Sequence, residues 1–389
     1  MFKRMYSILG NSCLILGPRG VGKSTFVLEQ VQPALIIDLL KAKTFRELQM
    51  NPSLLEDQTA HLKKNETVFI DEIQKIPSLL DEVHRLIETK KIHFIMTGSS
   101  ARKLRQSGTN LLAGRALGLK MFPLTLKELN GTQDILDVLK FGTLPTTINQ
   151  RDIADEYLAS YVDLYLKEEV FQESLTRNLE AFSHFIEIAG QYHGQLINFE
   201  NIGREIAISG DTIKSWFQIL IDTLVGRKVE AYPTLIFPKQ MRHSKFYFFD
   251  SGIAWAATGQ SFKEIPTEYK GFQFESLILN EVLTYLEVSR KKYRIFHFSV
   301  SQKGDVDFLI QRKKKSFNSA EELISLEVKA SRLWKNGSEK LSMELKSALP
   351  KTIARSLAVY LGQQRLTKGS LEIFPIQEFV ESLWSGELI

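Results

Sequence analysis

The chain has 389 residues, too long for one ordinary hydrophobic core, so two or three domains are expected. Apolar residues make up 43% and charged residues 24%, which supplies ample core material and excludes global disorder. The formal net charge of +5 is mildly basic, compatible with a nucleic-acid partner without requiring one. The single cysteine, Cys13, rules out an internal disulfide; within an apolar strand it reads as a small buried hydrophobe, and a reducing cytoplasm is its simplest home. Asn11 and Ser12 interrupt the apolar start and no small-residue cleavage site follows, so no signal peptide is expected. No apolar run approaches the roughly 18 residues of a membrane span, and no membrane partner is expected.

The first 130 residues alternate strand and helix. Strand candidates at 12–17, 34–39, 67–71, 93–98 and 116–123 are near-continuous apolar runs, the pattern of strands buried on both faces. A helix over 78–90 carries Leu79, Leu80, Val83 and Leu86 on one face. The alternation predicts an α/β unit with a parallel sheet and helices on both sides.

Directly after the first strand, residues 17–25 read GPRGVGKST, a complete Walker A loop. Gly17, Pro18, Arg19, Gly20, Val21 and Gly22 form the turn whose backbone N–H groups cradle phosphate oxygens. Lys23 places a point charge on the β- and γ-phosphates, Ser24 supplies a hydroxyl ligand for Mg²⁺, and Thr25 continues into the helix. A nucleoside triphosphate, taken as ATP, is the expected ligand, with Mg²⁺ as its metal. The run TVFIDEIQ then gives a Walker B pattern. Asp71 would hold the Mg²⁺ water shell, and Glu72 would polarise the attacking water as general base, which argues for hydrolysis. The strand HFIMTGSSARKL follows. If it lies between the Walker A and B strands, Thr97 or Ser99 sits beside the γ-phosphate, and the sequence does not choose between them. The alternative is a serine-rich cap for the next helix. Arg102 and Arg115 are the nearest candidates for an arginine acting at the γ-phosphate, with an ordinary surface or ion-pair role as the alternative.

After these motifs, a helical stretch over 153–170 has Tyr157, Leu158, Tyr161, Leu164, Tyr165 and Leu166 at helical spacing, read as core. Residues 180–250 read as helix, helix, turn, helix and hairpin. A helix over 198–209 is broken by Gly210, Asp211 caps 212–224, and Ile213, Trp216, Phe217 and Leu220 form its apolar face. Lys214, with Lys239, Arg242 and Lys245 in the hairpin, would meet DNA phosphates if this unit is a winged helix on DNA. The same fold also serves as a protein-docking lid. The patch Arg312 to Lys315 reads as a solvated turn.

Further on, Asp307 lies in GDVDFLI, and LEVKAS follows twenty residues later. Glu327 and Lys329 share one strand face, and Glu275 on a preceding helix adds a fourth charged group. Order and spacing resemble the PD-(D/E)xK nuclease fold, in which acids bind Mg²⁺ and the lysine activates water. Chance charge pairs, or a nuclease-like fold kept as a binding platform without cleavage, are the alternatives.

The combination GPRGVGKST, VFIDEIQ, TGSSARKL, LAGR and FPLTLKEL resembles the bacterial and archaeal AAA-type ATPases that carry an uncharacterised carboxy-terminal domain. FYFFDSGIAWAATG, GFQFESLILNEV, VDFLI and LEVKAS resemble that family's later landmarks. The resemblance implies ATP binding, hydrolysis and DNA-related work. A DNA partner, a protein partner and assembly into a homo-oligomer are all compatible with it. No clear sensor-2 arginine is found. The expected order is an AAA-type P-loop domain over 1–130, a helical linker or lid over 131–178, a winged-helix-like domain over 179–264 and a nuclease-like α/β domain over 265–389.

Overall fold

The computed structural model describes residues 2–8, 11–106, 114–166, 178–316 and 320–389. Residues 111–113 of the LLAGR motif and 167–170 at the end of the tyrosine-rich helix lie outside the described residues. The chain divides into two compact units: residues 1–124 with 144–146 and 220–225, and the remainder from Thr125 to Ile389.

In the first unit, β1 (Cys13–Leu16), β2 (Leu35–Asp38), β3 (Thr67–Asp71), β4 (His93–Gly98) and β5 (Leu117–Lys120) form one parallel sheet in the order β2-β3-β4-β1-β5. The apolar runs of β3 and β4 are buried because helices cover both faces of the sheet centre. The helix Leu79–Lys90 buries Leu79, Leu80, Val83 and Leu86 in the same core, so its predicted face is the observed one. The edges depart from the expected burial. Ile36 of β2 and Leu117 of β5 are exposed, since an edge strand has a neighbour on one side only. Because β4 sits between β1 and β3, the carboxyl ends of these three strands, which lead to the phosphate loop, to Thr97 and Ser99, and to Asp71 and Glu72, lie side by side. That is where an open α/β sheet places its ligand crevice.

The second unit contains a mixed sheet of eight strands: β6 (Gly226–Ala231), β7 (Lys245–Phe248), β8 (Arg294–Val300), β9 (Gly304–Lys313), β10 (Glu322–Lys329), β11 (Ile353–Tyr360), β12 (Leu366–Lys368) and β13 (Leu371–Pro375). Their order is β12-β13-β11-β10-β9-β8-β6-β7. The hairpin β6–β7 is therefore not set apart from the later strands: Glu230 and Ala231 of β6 pair in parallel with Phe296 and His297 of β8. The helix Thr267–Val288 is buried along most of its length.

The three helices Leu179–Gln191, Phe199–Glu205 and Gly210–Asp222 precede the hairpin. Phe185, Phe217 and Phe246 pack edge to face, with centroids 4.9 and 4.8 Å apart, and Ile213 and Trp216 are buried beside them. The cap of the third helix differs from expectation. The Ser209 hydroxyl accepts from the Thr212 N–H at 3.2 Å, so Ser209 rather than Asp211 performs that role and Gly210 opens the helix. The tyrosine-rich stretch is helical over Ala154–Ser160 and then widens to a π-helical turn over Tyr161–Leu166. The wider turn shifts the register, so Tyr161, Tyr165 and Leu166 are buried while Leu164 is exposed. No helix among the described residues is long and apolar enough to cross a membrane.

Candidate functional site

The loop after β1 is built by backbone demands. A Cβ on Gly17 would lie 2.3 Å from the Met121 carbonyl oxygen, so only glycine fits. Gly22 has φ of 86°, a left-handed conformation that turns the loop into the helix Lys23–Gln30. Lys23 is buried, and its ammonium donates to the carbonyls of Gly17 (2.8 Å) and Pro18 (2.9 Å). Arg19 and Thr25 are exposed on the loop and the first turn, Gly20 is half-buried and the Val21 side chain is fully buried. The Ser24 hydroxyl donates to Asp71 at 2.9 and 2.8 Å from its two oxygens. An ammonium held by exchangeable carbonyl contacts, beside a hydroxyl and a carboxylate in contact, is a donor set that fits a magnesium-complexed polyphosphate.

Thr97 and Ser99, left open by the sequence, divide the work at the end of β4. The Thr97 hydroxyl donates to Asp71 and accepts from the Glu72 N–H at 3.2 Å. The Ser99 hydroxyl donates to Glu72 Oε2 at 3.1 Å and accepts from Gln74 Nε2 at 2.9 Å. Gln74 also donates to Glu72 Oε2. Glu72 has φ of 60°, in the left-handed region that non-glycine residues rarely adopt. Gln74 was not singled out by sequence reasoning, although it stands two residues after Glu72 in the quoted TVFIDEIQ run. Arg4 was also missed. Its guanidinium donates to the Val21 carbonyl in the phosphate loop (2.8 Å) and to the Phe122 carbonyl after β5 (2.6 Å). Tyr6 adds to this strap: its hydroxyl accepts from the Phe122 N–H at 3.1 Å, and its ring meets Phe26 at 6.0 Å. No spacing rule marks such a residue, because both partners are backbone carbonyls distant in sequence.

The arginine candidates are not brought to the phosphate loop by any contact described. Arg115 pairs with Glu88 at 2.5 Å, both side chains substantially exposed, and Arg102 is half-buried in the helix Ala101–Gln106. Such an exposed pair is weak and readily exchanged.

In the second unit, Glu275, Asp307, Glu327 and Lys329 do converge. Lys329 lies 2.5 Å from Glu327 and 3.7 Å from Asp307. Asp307 also accepts from the Val328 N–H at 2.6 Å, and Glu327 accepts from the Ser342 hydroxyl at 3.2 Å. Two further charges belong to the cluster. Lys245 of β7 lies 2.6 Å from Asp305, 3.2 Å from Glu275 and 3.8 Å from Asp307, and the Tyr247 hydroxyl donates to Glu275 at 2.9 Å. The expectation that Lys245 meets DNA phosphates is thus corrected: its side chain is only 5% exposed, turned inward by this set of carboxylates. Burial opposes its charge, yet Glu275, Tyr247, Asp305 and Asp307 together raise its pKa well above the ordinary lysine range. Burial, reinforced by Asp307, pushes Glu275 and Glu327 upward. Asp305, against the penalty of burial, is held below the usual carboxylate range by Lys245. Lys214, Lys239 and Arg242 remain on the surface, and Arg242 donates to the Pro233 carbonyl at 2.6 Å. Among the described residues, no three His, Cys, Asp or Glu side chains form a metal-holding group. The magnesium that the nuclease resemblance implies does not fit the cluster as arranged, because ammonium groups face the oxygens it would need.

Residues 10–130 match the family model described as AAA domain. The unit built on β1–β5 lies within this stretch and is similar to AAA domains over it. Residues 132–264 and 270–379 match two further models, each a domain of unknown function (DUF8612 and DUF4143). Uncharacterized proteins of Mycobacterium bovis and Mycobacterium tuberculosis are each 21% identical to the chain over 387 residues, covering 97% of it and 80% of the relative. An uncharacterized Haemophilus influenzae protein is 20% identical over 284 residues, covering 69% of this chain and 68% of that one. Among solved structures, a Thermotoga maritima RuvB variant aligns with TM-score 0.27 and 16% identity, over 57% of this chain and 82% of that one. The Aeropyrum pernix ORC1 protein in complex with DNA aligns with TM-score 0.29 and 10% identity, over 65% and 87%. At these scores neither likeness carries an argument about this chain.

Proposed function

We propose that the chain binds and hydrolyses ATP with Mg²⁺ at the phosphate loop, and that its nucleotide state governs how residues 125–389 engage DNA or a protein partner. The observation that carries this reading is the convergence of Lys23, Ser24, Asp71, Glu72, Thr97 and Ser99 at the carboxyl ends of three adjacent parallel strands. Loop N–H groups and Lys23 receive the phosphates, with Lys23 exchanging its carbonyl partners for phosphate oxygens. Ser24 and Asp71 hold the metal, which when bound neutralises charge on the β- and γ-phosphates. Glu72 takes the proton of the attacking water, and Gln74 and Ser99 set the direction of its carboxylate. Arg115 is kept as the candidate for the γ-phosphate arginine, acting within the chain or on a second copy.

In the second unit, the three-helix-and-hairpin segment supports a winged-helix reading, and β8–β11 with the helix Thr267–Val288 supports a nuclease-like one. Exposed Lys214, Lys239 and Arg242 would contact phosphates. The test is ATP turnover measured with and without duplex, single-stranded and branched DNA. Lys23→Ala is expected to abolish turnover, and turnover equal to the parent chain would refute the assignment. Filter binding that shows no salt-dependent DNA affinity would leave the protein-docking form of the proposal.

A further inference from the structure

The carboxyl-terminal centre has one cation more than its motif provides. Spacing along β10 delivers Lys329 beside Glu327, as D…ExK order requires, and β9 delivers Asp305 and Asp307 on one face, two residues apart. Lys245 comes from elsewhere, at the first residue of β7, and ends between Glu275, Asp305 and Asp307 at 3.2, 2.6 and 3.8 Å. A lysine is seldom buried unless its ammonium is matched, and this one donates to Glu275 and Asp305 with the Asp307 carboxylate as a third charge at 3.8 Å. Tyr247, two residues on along the same strand, donates to the Glu275 oxygen that Lys245 also uses. The contacts come from helix, hairpin and sheet, so the lysine is fixed by the tertiary fold.

We infer that Lys245 is the resident cation of this centre, standing where a divalent metal would be held among Glu275, Asp305 and Asp307, and that the centre does not cleave phosphodiesters. The nuclease-like reading supplies the comparison; the lysine geometry stands without it. A cation held by the chain fills that position but cannot activate water as a metal does, so the centre lacks the ion that phosphodiester cleavage would need.

Manganese binding tests this on full-length, nucleotide-free protein carrying Asp71→Asn, which removes the phosphate-loop metal ligand. Free Mn²⁺ is followed by electron paramagnetic resonance. The parent should show no site tighter than about 1 mM that depends on Asp307. Adding Lys245→Met should create one site at least about tenfold tighter, and Asp307→Asn should remove it again. A parent chain that already binds Mn²⁺ in that range, and loses it with Asp307→Asn, overturns the inference while strengthening the nuclease reading. A folded Lys245→Met chain that gains no site overturns both the inference and the comparison with a nuclease centre. Should Lys245→Met not fold, the parent protein incubated with Mg²⁺ or Mn²⁺ and mixed DNA substrates decides. Cleavage abolished by Lys329→Ala refutes the inference, and intact DNA upholds it.

Discussion

Glu72 occupies a backbone conformation that costs on the order of 1–3 kcal/mol for a residue with a Cβ. Its carboxylate is held by Ser99 and Gln74, and its N–H by Thr97. Such over-determination has a purpose if the carboxylate must face one water molecule. Glu72→Gln preserves volume but removes the proposed base, so nucleotide should still bind while turnover falls by about 10²–10⁴-fold. Gln74→Ala isolates orientation from basicity. We expect kcat to change by about tenfold with KM changed less than about twofold, since Gln74 touches the base and not the phosphate cradle. Steady-state kinetics on both variants checks this; equal changes in kcat and KM for Gln74→Ala would make it part of the binding loop instead.

At the scale of elements, Glu281 illustrates what a buried carboxylate can fasten. It lies on the helix Thr267–Val288 and accepts from the Leu126 N–H (2.7 Å), the Lys127 N–H (3.4 Å) and the Trp384 indole (2.6 Å). All three partners are donors to a group that is fully buried. Burial outweighs those bonds and pushes its pKa up to about 7. The sign follows from linkage. Between the ordinary carboxylate value and about 7 the folded chain keeps a proton the unfolded chain has lost, so this group's contribution to stability falls as pH rises through that window. The full effect is on the order of 3 kcal/mol. Glu281→Gln removes that slope and turns one amide donor against a donor, costing about 1–3 kcal/mol. Denaturant titrations at about pH 5 and about pH 7.5 should show the parent's advantage over the variant shrinking as pH rises; an unchanged difference would refute the shift. None of these contacts was legible in the sequence, because they join residues more than a hundred positions apart. The parallel strands and the phosphate loop were legible, since an apolar run followed by glycines and a lysine is local information. The ExK pair was legible from alternation along one strand, but Lys245 reads in sequence as a hairpin contact to DNA phosphates because its three carboxylates lie on other elements. The single sheet that joins β6 to β8 was missed for the same reason: strand pairing is long-range and leaves no spacing signal.

Over the whole molecule, the proposed coupling would need a route from the phosphate loop to residues 125–389. The chain leaves the first unit after Leu124 and enters the second at Thr125. Just before that point Arg4 ties the Phe122 carbonyl to the Val21 carbonyl of the phosphate loop, and just after it Glu281 holds the Leu126 and Lys127 N–H groups. Under the proposed coupling, a movement of the loop that displaces Val21 would act along the chain at Phe122, four residues before the Leu126 N–H that Glu281 holds. Arg4 is nearly fully buried, so its two carbonyl bonds are worth more than surface contacts, at about 1.5–3 kcal/mol for a charged donor. Arg4→Lys keeps the charge but lacks the fork that reaches both carbonyls at once. The expected outcome is a chain that still binds nucleotide, with affinity reduced no more than about tenfold, but whose partner or DNA affinity no longer differs between its ATP- and ADP-bound forms. Comparing the ATP/ADP ratio of binding constants for parent and Arg4→Lys measures that coupling directly, because linkage makes it reciprocal between the two sites. If the ratio persists while nucleotide affinity collapses, Arg4 shapes the phosphate loop alone, and the signal to residues 125–389 travels by another route.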